Sequence, residues 1–159
     1  TNIGSVIGKE HYEKVMSYIA IAKEEGGIIL TGGKRPDHME KGYFIEPTII
    51  VGLTENSRCV KEEIFGPVVT VLPFDTEEQV ISYANDTNYG LGATIWTNDL
   101  RRAHRVAGQI EAGIVWVNTW YLRDLRTPFG GMKQSGIGRE GGAHSFEFYC
   151  EQSNITIKL

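Results

Sequence analysis

Between Val68 and Asn118 strand-like and helix-like stretches alternate, and that alternation restricts the chain to few folds. Val68 to Phe74 is rich in β-branched residues, and Gly92 to Thr97 and Gly113 to Asn118 are short apolar runs, the pattern of buried strands. The two segments between them have helix length, reaching to about Asp86 and about Ile110. Each opens on residues that cap a helix: Asp75 or Thr76, with Glu78 or Gln79 three residues on, and Asn98 or Asp99. The expectation is an α/β fold with a parallel βαβαβ unit and right-handed crossovers. Strands this apolar fit a sheet covered on both faces.

The flanks are less regular. Tyr12, Val15, Met16, Ile19 and Ala22 fall on one face of a 3.6-residue period, so a helix is expected over residues 9–25, stopped by Gly26-Gly27. Ile28 to Thr31 reads as a short strand, residues 32–42 as a loop, and Phe44 to Val51 as extended chain placed at an edge or bend by Pro47. Residues 119–142 form a long Gly-rich, charged segment. It leaves the carboxyl end of a parallel strand, where open α/β sheets place ligands. Ile155, Ile157 and Leu159 alternate with Thr156 and Lys158, a strand with no partner at its end of the chain.

Composition excludes several functions. A net charge of -4 over 159 residues offers nothing to nucleic acid or an anionic membrane. The apolar runs are far too short to span a bilayer. Cys59 and Cys150 make no disulfide framework, and no His/Cys cluster has zinc spacing, so no metal is expected. A reducing, cytoplasmic compartment is the default. The chain starts on Thr1 rather than Met and carries no signal peptide pattern, which suggests a processed product or part of a longer chain.

Two strings carry the chemistry. The first is Lys61-Glu62-Glu63-Ile64-Phe65-Gly66-Pro67-Val68. The second is Pro128-Phe129-Gly130-Gly131-Met132-Lys133-Gln134-Ser135-Gly136-Ile137-Gly138-Arg139-Glu140. Gly136-Ile137-Gly138 is a weak candidate for a phosphate loop, because it does not directly follow a strand and Arg139-Glu140 stands where a third glycine would help. In this order and at this separation the two strings resemble those of the NAD(P)-dependent aldehyde dehydrogenase superfamily. The resemblance runs along the whole chain and matches the last third or so of a typical member.

The resemblance implies a reaction in which a cysteine thiolate attacks an aldehyde, hydride passes to NAD, and a glutamate activates water to release the acid. It places that cysteine, that glutamate and the cofactor-binding domain upstream of residue 1, so no catalytic residue is expected here and these residues alone are expected to be inactive. Residues 1–148 would be the later part of the catalytic domain and residues 149–159 an oligomerisation arm pairing with another subunit of a homo-oligomer. Glu63 would accept hydrogen bonds from the nicotinamide ribose hydroxyls, for which one carboxylate offers two acceptor oxygens. Phe65 would pack beside that ribose, its alternative being core filling. Phe129 would line the substrate tunnel.

The segment Asn118-Thr119-Trp120-Tyr121-Leu122-Arg123-Asp124-Leu125-Arg126 looks like that of the 2-hydroxymuconic and 2-aminomuconic semialdehyde dehydrogenases, which carry an arginine at the place of Arg123. A guanidinium in a shielded tunnel suits a substrate carboxylate. The alternatives are a surface Arg123 paired with Asp124 or another acid, and Arg126 as the anchor. The expected activity is oxidation of a carboxylate-bearing, muconic-type semialdehyde, as in aromatic catabolism. Two readings remain beside it: a same-fold dehydrogenase for an aliphatic or betaine-type aldehyde, and a non-catalytic oligomerisation module.

Overall fold

The computed structural model describes residues 3–159, and the chain divides after Asp75 into two units. In the first, α1 (Lys9–Glu24) buries Val15, Tyr18, Ile19 and Ala22. Three of these belong to the apolar stripe read from the sequence. Gly26 ends the helix at φ 87°. The Gly26 and Gly27 amides donate to the Lys23 and Ala22 carbonyls at 3.1 and 2.7 Å, a Schellman closure that a left-handed glycine makes without a Cβ penalty.

A three-stranded sheet follows in the order β1-β2-β3, from β1 (Ile28–Thr31), β2 (Thr48–Val51) and β3 (Val68–Thr70). β1 runs antiparallel to β2, and β3 parallel to it with Thr48 opposite Val68. Ile50 of the central strand is fully buried and meets Ile19, Ile45, Leu53 and Ile64 in the core shared with α1. Each such side chain contributes about 1.5–3 kcal/mol by leaving water. The short helix α2 (Arg58–Lys61) adds Cys59 to this core.

The second unit contains α3 (Glu77–Asn85), β4 (Tyr89–Gly90), β5 (Gly92–Ile95), α4 (Leu100–Ala107), β6 (Ile114–Val117), β7 (Met132–Lys133) and α5 (Ala143–Tyr149). The caps resolve to Thr76, whose hydroxyl accepts from the Gln79 amide at 3.2 Å, and Asp99, which accepts from Arg102 at 3.0 Å. Glu77 bonds Arg105 and also faces Arg102, tying α3 to α4. β5 and β6 pair in parallel with Gly92 opposite Ile114. Gly113, just before β6, has no room for a side chain: a Cβ there would sit 1.6 Å from the Gly130 carbonyl oxygen.

The α/β class and the parallel pairs match the sequence reading, with four differences. The three strands expected in one βαβαβ sheet are shared between two: β3 lies against β2, whereas β5 and β6 pair with each other. β2 is central rather than an edge, because Pro47 stops one residue short of its ladder and only the Thr48 amide onward has to donate. The segment 119–142 is not wholly irregular, since β7 pairs with β4 and Phe129 bridges Glu140. Residues 151–159 are exposed and have no ladder among the described residues, so the tail strand is not formed here, and α5 precedes it where none was expected.

Candidate active site

In the first unit, the chain from Glu62 to Gly66 is a loop laid along α1. Glu62 accepts from Arg58 through two 2.9 Å bonds and from the Tyr18 hydroxyl at 2.7 Å. These bonds, Arg58 first, hold its carboxyl down at about 2. Ile64 points into the core. Between these anchors Glu63 is exposed, and its backbone carbonyl accepts from Lys14 Nζ at 3.3 Å. Phe65 adopts the left-handed backbone region at φ 59° and is 72% exposed, so it does not fill the core. Its carbonyl accepts from His11 Nε2 at 2.6 Å. The loop therefore presents a carboxylate and a flat apolar ring on a fixed backbone.

In the second unit, β6 gives way to Asn118, at φ 54°. The Asn118 amide group exchanges two hydrogen bonds with the Thr97 backbone, at 2.9 and 2.8 Å, so the loop leaves from a fixed strand end. Trp116 Nε1 donates to the Leu122 carbonyl at 2.7 Å and anchors the loop again. The next residue is Arg123. Its guanidinium lies 3.9 Å over the Phe129 ring, and Nη2 donates to Glu140 Oε1 at 2.8 Å. Phe129 and Glu140 are themselves joined by two backbone bonds of 2.7 and 2.8 Å. Arg123 keeps only 24% of its side chain exposed, and its Nε is buried without a hydrogen-bond partner among the described residues. Arg126 is 88% exposed and bonded to Asp124, whose carboxyl it holds below the usual range.

A profile of the aldehyde dehydrogenase family matches residues 1–155. The chain belongs to the aldehyde dehydrogenase family. It is 54% identical over 162 residues to a 2-aminomuconic 6-semialdehyde dehydrogenase of a Pseudomonas species, matching 100% of this chain and 33% of the relative. It is 56% identical over 161 residues to the 2-hydroxymuconic semialdehyde dehydrogenase of Pseudomonas putida, matching 99% and 33%. Among solved structures it superposes on the NAD+ complex of betaine aldehyde dehydrogenase from Staphylococcus aureus with a TM-score of 0.90 at 46% identity, covering 94% of this chain and 30% of that one. The chain thus spans about a third of the length of the curated relatives it matches.

Aldehyde dehydrogenase family membership frames the four residues singled out from sequence. Glu63 and Phe65 share the first unit's loop, and Arg123 and Phe129 touch in the second. Sequence reasoning missed two partners, Glu140 and His11. Glu140 closes the Gly-rich string that begins at Pro128, but its tie to Arg123 spans 17 residues and has no local signature. Cys59 does not have the setting of a nucleophile. Cys59 is buried, donates to the Tyr18 carbonyl at 3.2 Å, and has its pKa raised by desolvation. Cys150 is exposed and follows α5. Among the described residues no helix is long and apolar enough to cross a membrane.

Proposed function

We propose that this chain serves an NAD-dependent dehydrogenase that oxidises a carboxylate-bearing, muconic-type semialdehyde to the acid. Residues 1–148 supply part of the catalytic domain. The thiol nucleophile and the general base come from outside these 159 residues, in keeping with the buried Cys59 thiol. Glu63 and Phe65 fit the cofactor: an exposed carboxylate suits two vicinal hydroxyls, and an exposed ring suits the apolar edge of a ribose. NAD supplies the hydride acceptor. The compartment is the cytoplasm, and the tail pairs with a second subunit of a homo-oligomer.

The observation that carries the substrate assignment is Arg123, half-buried, stacked on Phe129 and braced by Glu140. Stacking and bracing fix the guanidinium plane in advance, so a substrate carboxylate would meet donors that need little reorganisation. The orphaned Nε marks a guanidinium whose hydrogen-bonding capacity the protein has not filled. Arg126 is the weaker candidate, being largely solvated. The structural likeness to a betaine aldehyde dehydrogenase favours a second reading, a cationic substrate. Arg123 opposes it, because like charges in a shielded site repel. Initial rates of NADH formation by the full-length protein discriminate the two. The expected order of kcat/KM is 2-hydroxymuconic semialdehyde above a neutral aliphatic aldehyde, and that above betaine aldehyde. The reverse order would refute the carboxylate reading.

A further inference from the structure

Helix α1 meets the loop 62–66 through one face. Tyr18, Lys14, His11 and Val15 meet Glu62, Glu63, Phe65 and Gly66 in turn, and their spacing of i, i+3, i+4 and i+7 places them on one stripe. Tyr18 donates to Glu62, Lys14 to the Glu63 carbonyl, and His11 to the Phe65 carbonyl, at 2.7, 3.3 and 2.6 Å. The His11 and Phe65 rings meet edge to face at 5.9 Å and 90°. A Cβ on Gly66 would lie 2.7 Å from Val15 Cγ2, so the loop lies directly on the helix there.

Of these contacts, His11 has the most to do. The Phe65 backbone sits at φ 59°, a region that residues with a Cβ avoid unless their surroundings impose it. The residue is 72% exposed, and its ring meets the His11 ring edge to face. A carbonyl only accepts, so His11 Nε2 carries the proton in this bond. The bond crosses 54 residues of sequence and ties the loop to helix α1.

We propose that His11 is a positioning residue for dinucleotide binding, holding Phe65 and with it Glu63 in the conformation that grips the nicotinamide ribose. This rests on the reading of Glu63 and Phe65 given above. Losing one neutral hydrogen bond corresponds to roughly a three- to tenfold loss in affinity. The test is a fluorescence titration of the full-length protein with NADH, which needs no turnover. His11→Asn, too short to reach the carbonyl, and His11→Leu are expected to raise the Kd about three- to tenfold. His11→Gln, whose amide can take the place of Nε2, is expected to return it to near the wild-type value. The KM for aldehyde should stay the same in all three. Glu63→Gln is titrated beside them. If Glu63→Gln weakens NADH binding and the His11 variants do not, the positioning role is wrong and the cofactor reading stands. If neither weakens it, both are wrong. Equal losses in His11→Gln and His11→Leu would also overturn the role, since they would reflect a general disturbance of α1.

Discussion

At the scale of single residues, adjacent glutamates have diverged. Glu62 is consumed by structure: Arg58 and Tyr18 take both oxygens, and its carboxyl titrates at about 2 rather than 4.5. Glu63 remains exposed. The folded pKa of Glu62 is depressed, so its contribution to stability is complete above the ordinary value and is lost as pH falls toward about 2. The gap in melting temperature between wild type and Glu62→Gln should therefore be widest at neutral pH and close as pH drops from about 4.5 to about 2. A gap that stays constant over that window would mean the Arg58–Glu62 pair is not formed in solution. The exposed Asp124–Arg126 pair should contribute little by comparison.

At the scale of elements, periodicity made α1, the two capped helices and the short strands legible, because each signal is local. The sheet assignments were not. β3, β5 and β6 read alike, and only long-range pairing decides that Val68 lies against Thr48 while Gly92 lies against Ile114. The same limit applies to the site. Glu63, Phe65, Arg123 and Phe129 stand in recognisable strings, but His11 and Glu140 act across long stretches of sequence and carry no motif of their own. Gly113 shows a third case, a glycine demanded by the Gly130 backbone rather than by its own conformation. The tail alternates like a strand, although none forms there among the described residues. Ile155, Ile157 and Leu159 are at least three-quarters exposed, and an exposed alternating strand is an edge that invites pairing. Removing residues 153–159 should shift the sedimentation of the full-length protein toward monomer. An unchanged oligomer would rule the arm out as its interface.

At the scale of the whole molecule, a family assignment meets a substrate assignment. The first follows from the match over residues 1–155 and from identities above one half to muconic semialdehyde dehydrogenases. The second rests on one guanidinium. Arg123 is braced by Glu140 and Phe129 within a unit whose loop leaves β6 from a fixed strand end, and a pre-oriented charge of that kind discriminates between substrates by their charge rather than by their size. Losing a charge-assisted pair costs on the order of 2–3 kcal/mol, or roughly 30- to 150-fold in kcat/KM. The decisive measurement is NADH formation by the full-length protein, wild type against Arg123→Ala, with 2-hydroxymuconic semialdehyde and with a neutral aldehyde of similar length. The account predicts a loss of that size for the carboxylated substrate and little change for the neutral one. Equal losses on both, or none on either, would contradict it.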